Sequence, residues 1–199
     1  AGTGGGISSR NYIGNGSNSL YINDSTISDN HAVNGSGISA YMGGGVLAIR
    51  RSTIANNVSQ VSLDQWSSGA GIQLAGAVTT ALIESSTISG NVSQYIGGIR
   101  LWGVTAPLNV VNSTIAFNRG LAGAGIDVAG GSVAPLVHNS IFAQNTNNAI
   151  VSAHLDVRGG LNPDSSYNFF GSGAGATSLT GAGNKSGTSA IPRDPKLSP

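Results

Sequence analysis

Cysteine is absent from this 199-residue chain. That excludes a disulfide frame, a thiol nucleophile and a cysteine metal site. Charge is nearly as scarce, at 9% of residues, with lysine only at Lys185 and Lys196 and glutamate only at Glu84. A long surface helix or coiled coil needs many Glu, Lys, Leu and Ala residues, so that class is excluded. The net charge is +1 and no basic run occurs, which argues against a nucleic-acid partner. No apolar run reaches the length of a membrane-spanning helix. The chain begins at Ala1 without Met or a signal peptide, so a processed or excised piece is expected.

What is plentiful is glycine, at 31 residues. Such a composition can mean disorder. Here 39% of residues are hydrophobic, enough for a core, and a repeat explains the rest. The phrase Ile22-Asn-Asp-Ser-Thr-Ile27-Ser-Asp-Asn30 returns as Ile49 to Asn57, Ile83 to Asn91, Val110 to Asn118 and Val137 to Asn145. The closing Asn residues, Asn30, Asn57, Asn91, Asn118 and Asn145, are 27, 34, 27 and 27 positions apart. A second phrase keeps phase between them: Gly6-Ile7, Gly37-Ile38, Gly71-Ile72, Gly98-Ile99 and Gly125-Ile126, with His154-Leu155 as a final variant.

Each unit holds short β-branched alternations separated by Gly and Asn, with no helical periodicity. This predicts an all-β fold, a right-handed parallel β-helix of about six coils of ~27 residues. In the fourth coil the strands are expected at Ile99–Trp102, Leu108–Val111 and Ser113–Ala116. Ile, Val and Leu should form columns inside the tube. Asn should turn the chain at each strand end and hydrogen-bond to the Asn of the next coil. The coils are expected over 1–158, and an irregular last coil with a Gly/Ser/Pro-rich tail over 159–199. The longer, 34-residue interval puts a loop at Val58–Ser68, whose Trp66 is a candidate binding residue.

The units Asn-Ser-Thr-Ile-x-x-Asn followed by Gly-Gly-Ile resemble those of bacterial secreted right-handed parallel β-helix repeat proteins. The stretch Asn168-Phe-Phe-Gly171, then Gly183-Asn184 and Asp194-Pro-Lys-Leu197, resembles the start of the choice-of-anchor Q region that follows such helices. The resemblance implies a secreted or surface-attached protein. It specifies architecture well and chemistry poorly.

Stacking turns sequence columns into surface rows. The residue after each Gly-Ile should point outward, giving Ser8, Ser39, Gln73, Arg100, Asp127 and Asp156. Two positions on lie Arg10, Tyr41, Ala75, Trp102, Ala129 and Arg158. Tyr41, Gln73, Arg100, Trp102 and Arg158 form the candidate ligand-binding patch, since aromatic faces among polar groups suit a sugar ring. Asp127 and Asp156 should be neighbours, and a close carboxylate pair, with His154 nearby, is the candidate catalytic set of a polysaccharide hydrolase or lyase. The alternative is a charge ladder on a solvated face, which the scarcity of charge favours. A third row, Thr26, Thr53, Thr87 and Thr114, resembles an ice-binding face, although cross-strand Thr pairing explains it as well.

His31, His138 and His154 do not share a column, and the acids are scattered, so neither a metal nor a cofactor is expected. The leading expectation is a non-enzymatic extracellular structural or adhesive module. Its expected partners are a polysaccharide or cell-surface glycan and other copies of itself, stacked through the open ends of the helix.

Overall fold

The repeated Ile and Val positions alternate with small or polar residues, and alternate side chains of an extended chain face opposite ways. A computed structural model describes residues 4–11, 16–33, 35–59, 69–121, 125–147, 155–176 and 178–198. It shows an all-β parallel solenoid of about five complete turns and a shorter sixth, where six had been expected. The first turn comprises β1 (Ile7–Arg10), β2 (Leu20–Asn23), β3 (Thr26–Ser28) and β4 (His31–Ala32). The second comprises β5 (Ile38–Gly43), β6 (Val46–Arg50), β7 (Thr53–Ala55) and β8 (Val58–Ser59). The third holds β9 (Ile72–Ala77), β10 (Thr80–Glu84) and β11 (Thr87–Ser89). The fourth holds β12 (Ile99–Trp102), β13 (Leu108–Val111) and β14 (Thr114–Ala116), within one residue of the expected bounds. The fifth holds β15 (Ile126–Ala129), β16 (Leu136–His138) and β17 (Ile141–Ala143). Beyond it lie β18 (Val157–Arg158), β19 (Phe169–Phe170) and β20 (Lys185–Ser186).

Three parallel sheets wall the tube. Sheet A runs β1-β5-β9-β12-β15-β18, sheet B runs β2-β6-β10-β13-β16, and sheet C runs β3-β7-β11-β14-β17-β19-β20. A fourth side pairs β4 with β8 and continues as single bridges from Val58 to Val92, Arg119 and Thr146. The described residues contain no helix long and apolar enough to cross a membrane.

The core is a set of columns. Ile27, Ile54, Ile88, Ile115, Phe142 and Phe170 stack in register, as do Ile38, Ile72, Ile99, Ile126 and Val157. The rings of Phe142 and Phe170 lie 5.7 Å apart and stacked, so the column widens toward the C-terminal end.

The corners carry the backbone strain. Asp24, Arg51, Ser85, Asn112, Asn139 and Tyr167, each one residue before a corner Ser or Asn, all have positive φ, between 46° and 58°. The residues before the closing Asn do the same, from Asp29 to Gln144. It is therefore these left-handed residues that turn the chain, not the closing Asn itself as the sequence suggested. The Asn instead runs a buried ladder. Asn57 donates from its backbone N–H and its Nδ2 to Asn91 Oδ1, at 3.0 and 2.9 Å. Its second Nδ2 hydrogen goes back to the Ile27 carbonyl. Asn91 and Asn118 repeat the pattern toward Asn118 and Asn145. At the next corner a serine ladder runs from Ser25 through Ser52, Ser86 and Ser113 to Ser140, then passes to Asn168 and Asn184.

Candidate functional site

Sheet A positions the polar patch. Its parallel register aligns Ser8, Ser39, Gln73, Arg100 and Asp127 in one outward row, and Arg10, Tyr41, Ala75, Trp102 and Ala129 in a second. Both rows are as the sequence placed them up to the fifth turn. In the sixth they differ. Asp127 pairs with Arg158, and Ile126 with Val157. Leu155 is thus not the partner of Ile126, because this last interval is 31 residues against 27 for the two before it. Arg158 moves into the first row, and Asp156 falls at the corner before the strand.

That shift removes the carboxylate pair. Asp156 is fully buried and ends the asparagine ladder. Its Oδ1 accepts Asn145 Nδ2 at 2.7 Å and the Asn145 backbone N–H at 3.3 Å, while Oδ2 accepts the Ser172 N–H at 2.6 Å. Burial pushes its pKa up to about 6, although the hydrogen bonds from Ser172 and Asn145 pull the other way. The third member of that candidate set, His154, lies outside the described residues, as does Trp66.

The second row makes a slot. Tyr41 and Trp102 flank the small Ala75, so their Cα atoms stand two strand spacings apart, about 9–10 Å. Tyr41, Gln73, Arg100 and Trp102 line a cleft of about 230 Å³. This is below the ~300–1,000 Å³ of sites for drug-sized ligands. Gln73 donates from Nε2 to the Tyr41 hydroxyl at 2.7 Å, which fixes that wall. Arg10 stacks over the Tyr41 ring at 5.4 Å. On the other wall, Gly130 has φ +63, and a Cβ there would meet the Trp102 indole at 2.7 Å. The missing side chain lets the indole lie against the next turn. Trp102 keeps 40% of its surface exposed.

From Ser39 to Asp127 the first row is buried, contrary to the solvated face expected. Ser39, Gln73, Arg100 and Asp127 are each below 5% exposed. Part of the cover is Tyr95, whose ring lies 4.8 Å from the Arg100 guanidinium and 5.7 Å from that of Arg158. Arg100 also stacks on Trp102 at 5.0 Å, so cation–π contacts offset its desolvation. Arg158 donates to the Tyr95 hydroxyl at 3.2 Å. Asp127 faces Arg158 at 3.5 Å and Arg100 Nε at 3.9 Å, beyond hydrogen-bond length. Burial raises the Asp127 pKa, and the two arginines lower it by less. Five buried polar atoms in this row have no hydrogen-bond partner: Ser39 Oγ, Gln73 Oε1, Arg100 Nε and both oxygens of Asp127. Each such atom costs about 1–3 kcal/mol, so clustering them on one face is a local sacrifice of stability.

Tyr95 was missed in the sequence. The one signal was compositional: of the three eight-residue steps that lead into sheet A, Asn30 to Ile38, Asn91 to Ile99 and Asn118 to Ile126, this one alone carries a Tyr. A second groove, of about 500 Å³, runs along sheet C past Asn139, Tyr167, Phe169, Gly183 and Lys185. Tyr167 is 64% exposed there. The threonine row is in register, Thr26 to Thr53, Thr87 and Thr114, and gives way to Ile141 and Phe169. Its second column, Ser28, Ala55, Ser89, Ala116 and Ala143, is buried at its last two members. Among the described residues, no three His, Cys, Asp or Glu side chains gather as a metal site. Compared with protein-family models, curated proteins and solved structures, the chain matches none.

Proposed function

We propose that this chain is a non-enzymatic binding module of a secreted or surface-attached bacterial protein, and that sheet A holds one saccharide ring between Tyr41 and Trp102. The aromatic–small–aromatic order of Tyr41, Ala75 and Trp102 carries the reading. A gap of two strand spacings between aromatic walls accepts a flat ring with its C–H faces toward them. Gln73 and Arg100, at the inner end of the slot, each hold a polar atom without a partner, one an acceptor and one a donor. Catalysis by two carboxylates has no support in this geometry, since Asp156 is committed to the ladder. The secreted, bacterial setting rests on the repeat phrases and the Asn168-Phe-Phe-Gly171 stretch.

The test is calorimetric titration of the purified chain with a panel of neutral and acidic oligosaccharides. Trp102→Ala and Tyr41→Ala should each weaken binding about three- to tenfold, as lost stacking of ~0.5–1.5 kcal/mol implies. Ala75→Val should block the slot with both walls intact. Absence of millimolar binding across the panel sinks the reading, and so does binding that both aromatic variants leave unchanged.

A further inference from the structure

We infer that the ring bound in this slot carries a carboxylate, so that the ligand class is an acidic saccharide, a uronate. The inference rests on the saccharide reading above and adds its charge. Three of the chain's seven arginines, Arg10, Arg100 and Arg158, stand on this face. Among the described residues of both outward rows, the single acid is Asp127. Three positive charges against one negative leave the face at +2, more than the +1 of the entire chain. In a molecule with so few charges, that concentration is not the residue of a generally basic surface.

The placement of these charges points the same way. One carboxylate, Asp127, is shared between two guanidinia, at 3.5 Å and 3.9 Å, and hydrogen-bonds to neither. Arg100 is 3% exposed and is stabilised by aromatic faces. Burial also favours the neutral form of Asp127, which would leave the two arginines less compensated still. Arg10 sits on the Tyr41 wall and has no ion pair among the described residues. The face therefore carries positive charge that no acid on it matches, and a guanidinium fork suits the two oxygens of a carboxylate. Of the three arginines, Arg100 lines the slot itself, while Arg10 lies behind the Tyr41 wall and Arg158 beyond Arg100 on the side of Trp102, so both add positive potential around a ring held there.

The test pairs charge with shape. Uronate oligosaccharides (galacturonate, guluronate, mannuronate and glucuronate series) are titrated beside their carboxyl-reduced, neutral counterparts. At least one series should bind tenfold or more tightly as the acid. That ratio should shrink below threefold in the Arg10→Gln/Arg158→Gln variant, and it should fall between 0.05 and 0.5 M NaCl as screening requires. Circular dichroism and thermal melts establish that the variant is folded. Equal binding of acid and reduced forms overturns the charge inference while the saccharide reading stands. Failure of both forms to bind overturns the two together.

Discussion

At the scale of single residues, Asp156 and Gly130 show how much one position can decide. An unfolded Asp ionises near pH 3.9, whereas folded Asp156 keeps its proton up to about 6. Between those values the folded state binds more protons, so stability is fully present below about pH 4 and falls as pH rises to 6. The expected loss is on the order of 3 kcal/mol. Denaturant midpoints across pH 4–7 measure it. Asp156→Asn should flatten that slope, since the charge is gone, while costing about 1–3 kcal/mol at pH 4 because an amide cannot accept both the Asn145 and Ser172 donors. Gly130→Ala works differently. The added Cβ pushes the Trp102 indole off its bed, so ligand affinity should drop severalfold and tryptophan emission should shift. A Trp66→Phe background isolates the signal of Trp102.

At the scale of the element, the ladders matter more than the strands, which are as short as two or three residues. Asn91→Ala would strip the acceptor from the Asn57 N–H and Nδ2, and the donor from the Ile54 carbonyl, all buried. A loss of roughly 3 kcal/mol or more in chemical denaturation is expected. Thr87→Val, on the outer face of sheet C in the same turn, should stay within about 0.5 kcal/mol. The ladder was legible in the sequence because Asn recurs in phase with the Ile columns. The left-handed corner residues were not, because Asp24, Arg51, Ser85, Asn112, Asn139 and Tyr167 share a backbone angle and no side-chain chemistry.

At the scale of the whole molecule, the parallel solenoid follows from period alone, and so do the rows that bring Tyr41, Gln73, Arg100 and Trp102 together from separate turns. What the period could not show is where it changes. Leu155 mimics the Ile of the repeat, and the true partner of Ile126 is Val157. That one slip had placed Asp156 beside Asp127. Nor could alternation reveal the burial of the Arg100 row, because outward means solvent only when nothing such as Tyr95 lies above it. The slot spans the second, third and fourth turns, and each turn touches only its neighbours. A bound ring should therefore slow amide exchange in those three turns more than in the fifth. Mass-spectrometric hydrogen exchange with and without ligand reads this directly.

The asparagine ladder has a direction. Every side chain from Asn30 to Asn145 gives one Nδ2 proton to the next turn toward the C-terminal end, and from Asn57 onward each receives at its oxygen from the turn before. A carboxylate can only receive, so Asp156 fits nowhere in that series except its last place. Termination is thereby written in one residue, while every interior turn is interchangeable as both giver and receiver. Inserting or deleting one 27-residue turn between Asn91 and Asn145 would leave the same stop in place. The number of turns and the position of the end are thereby set by different residues.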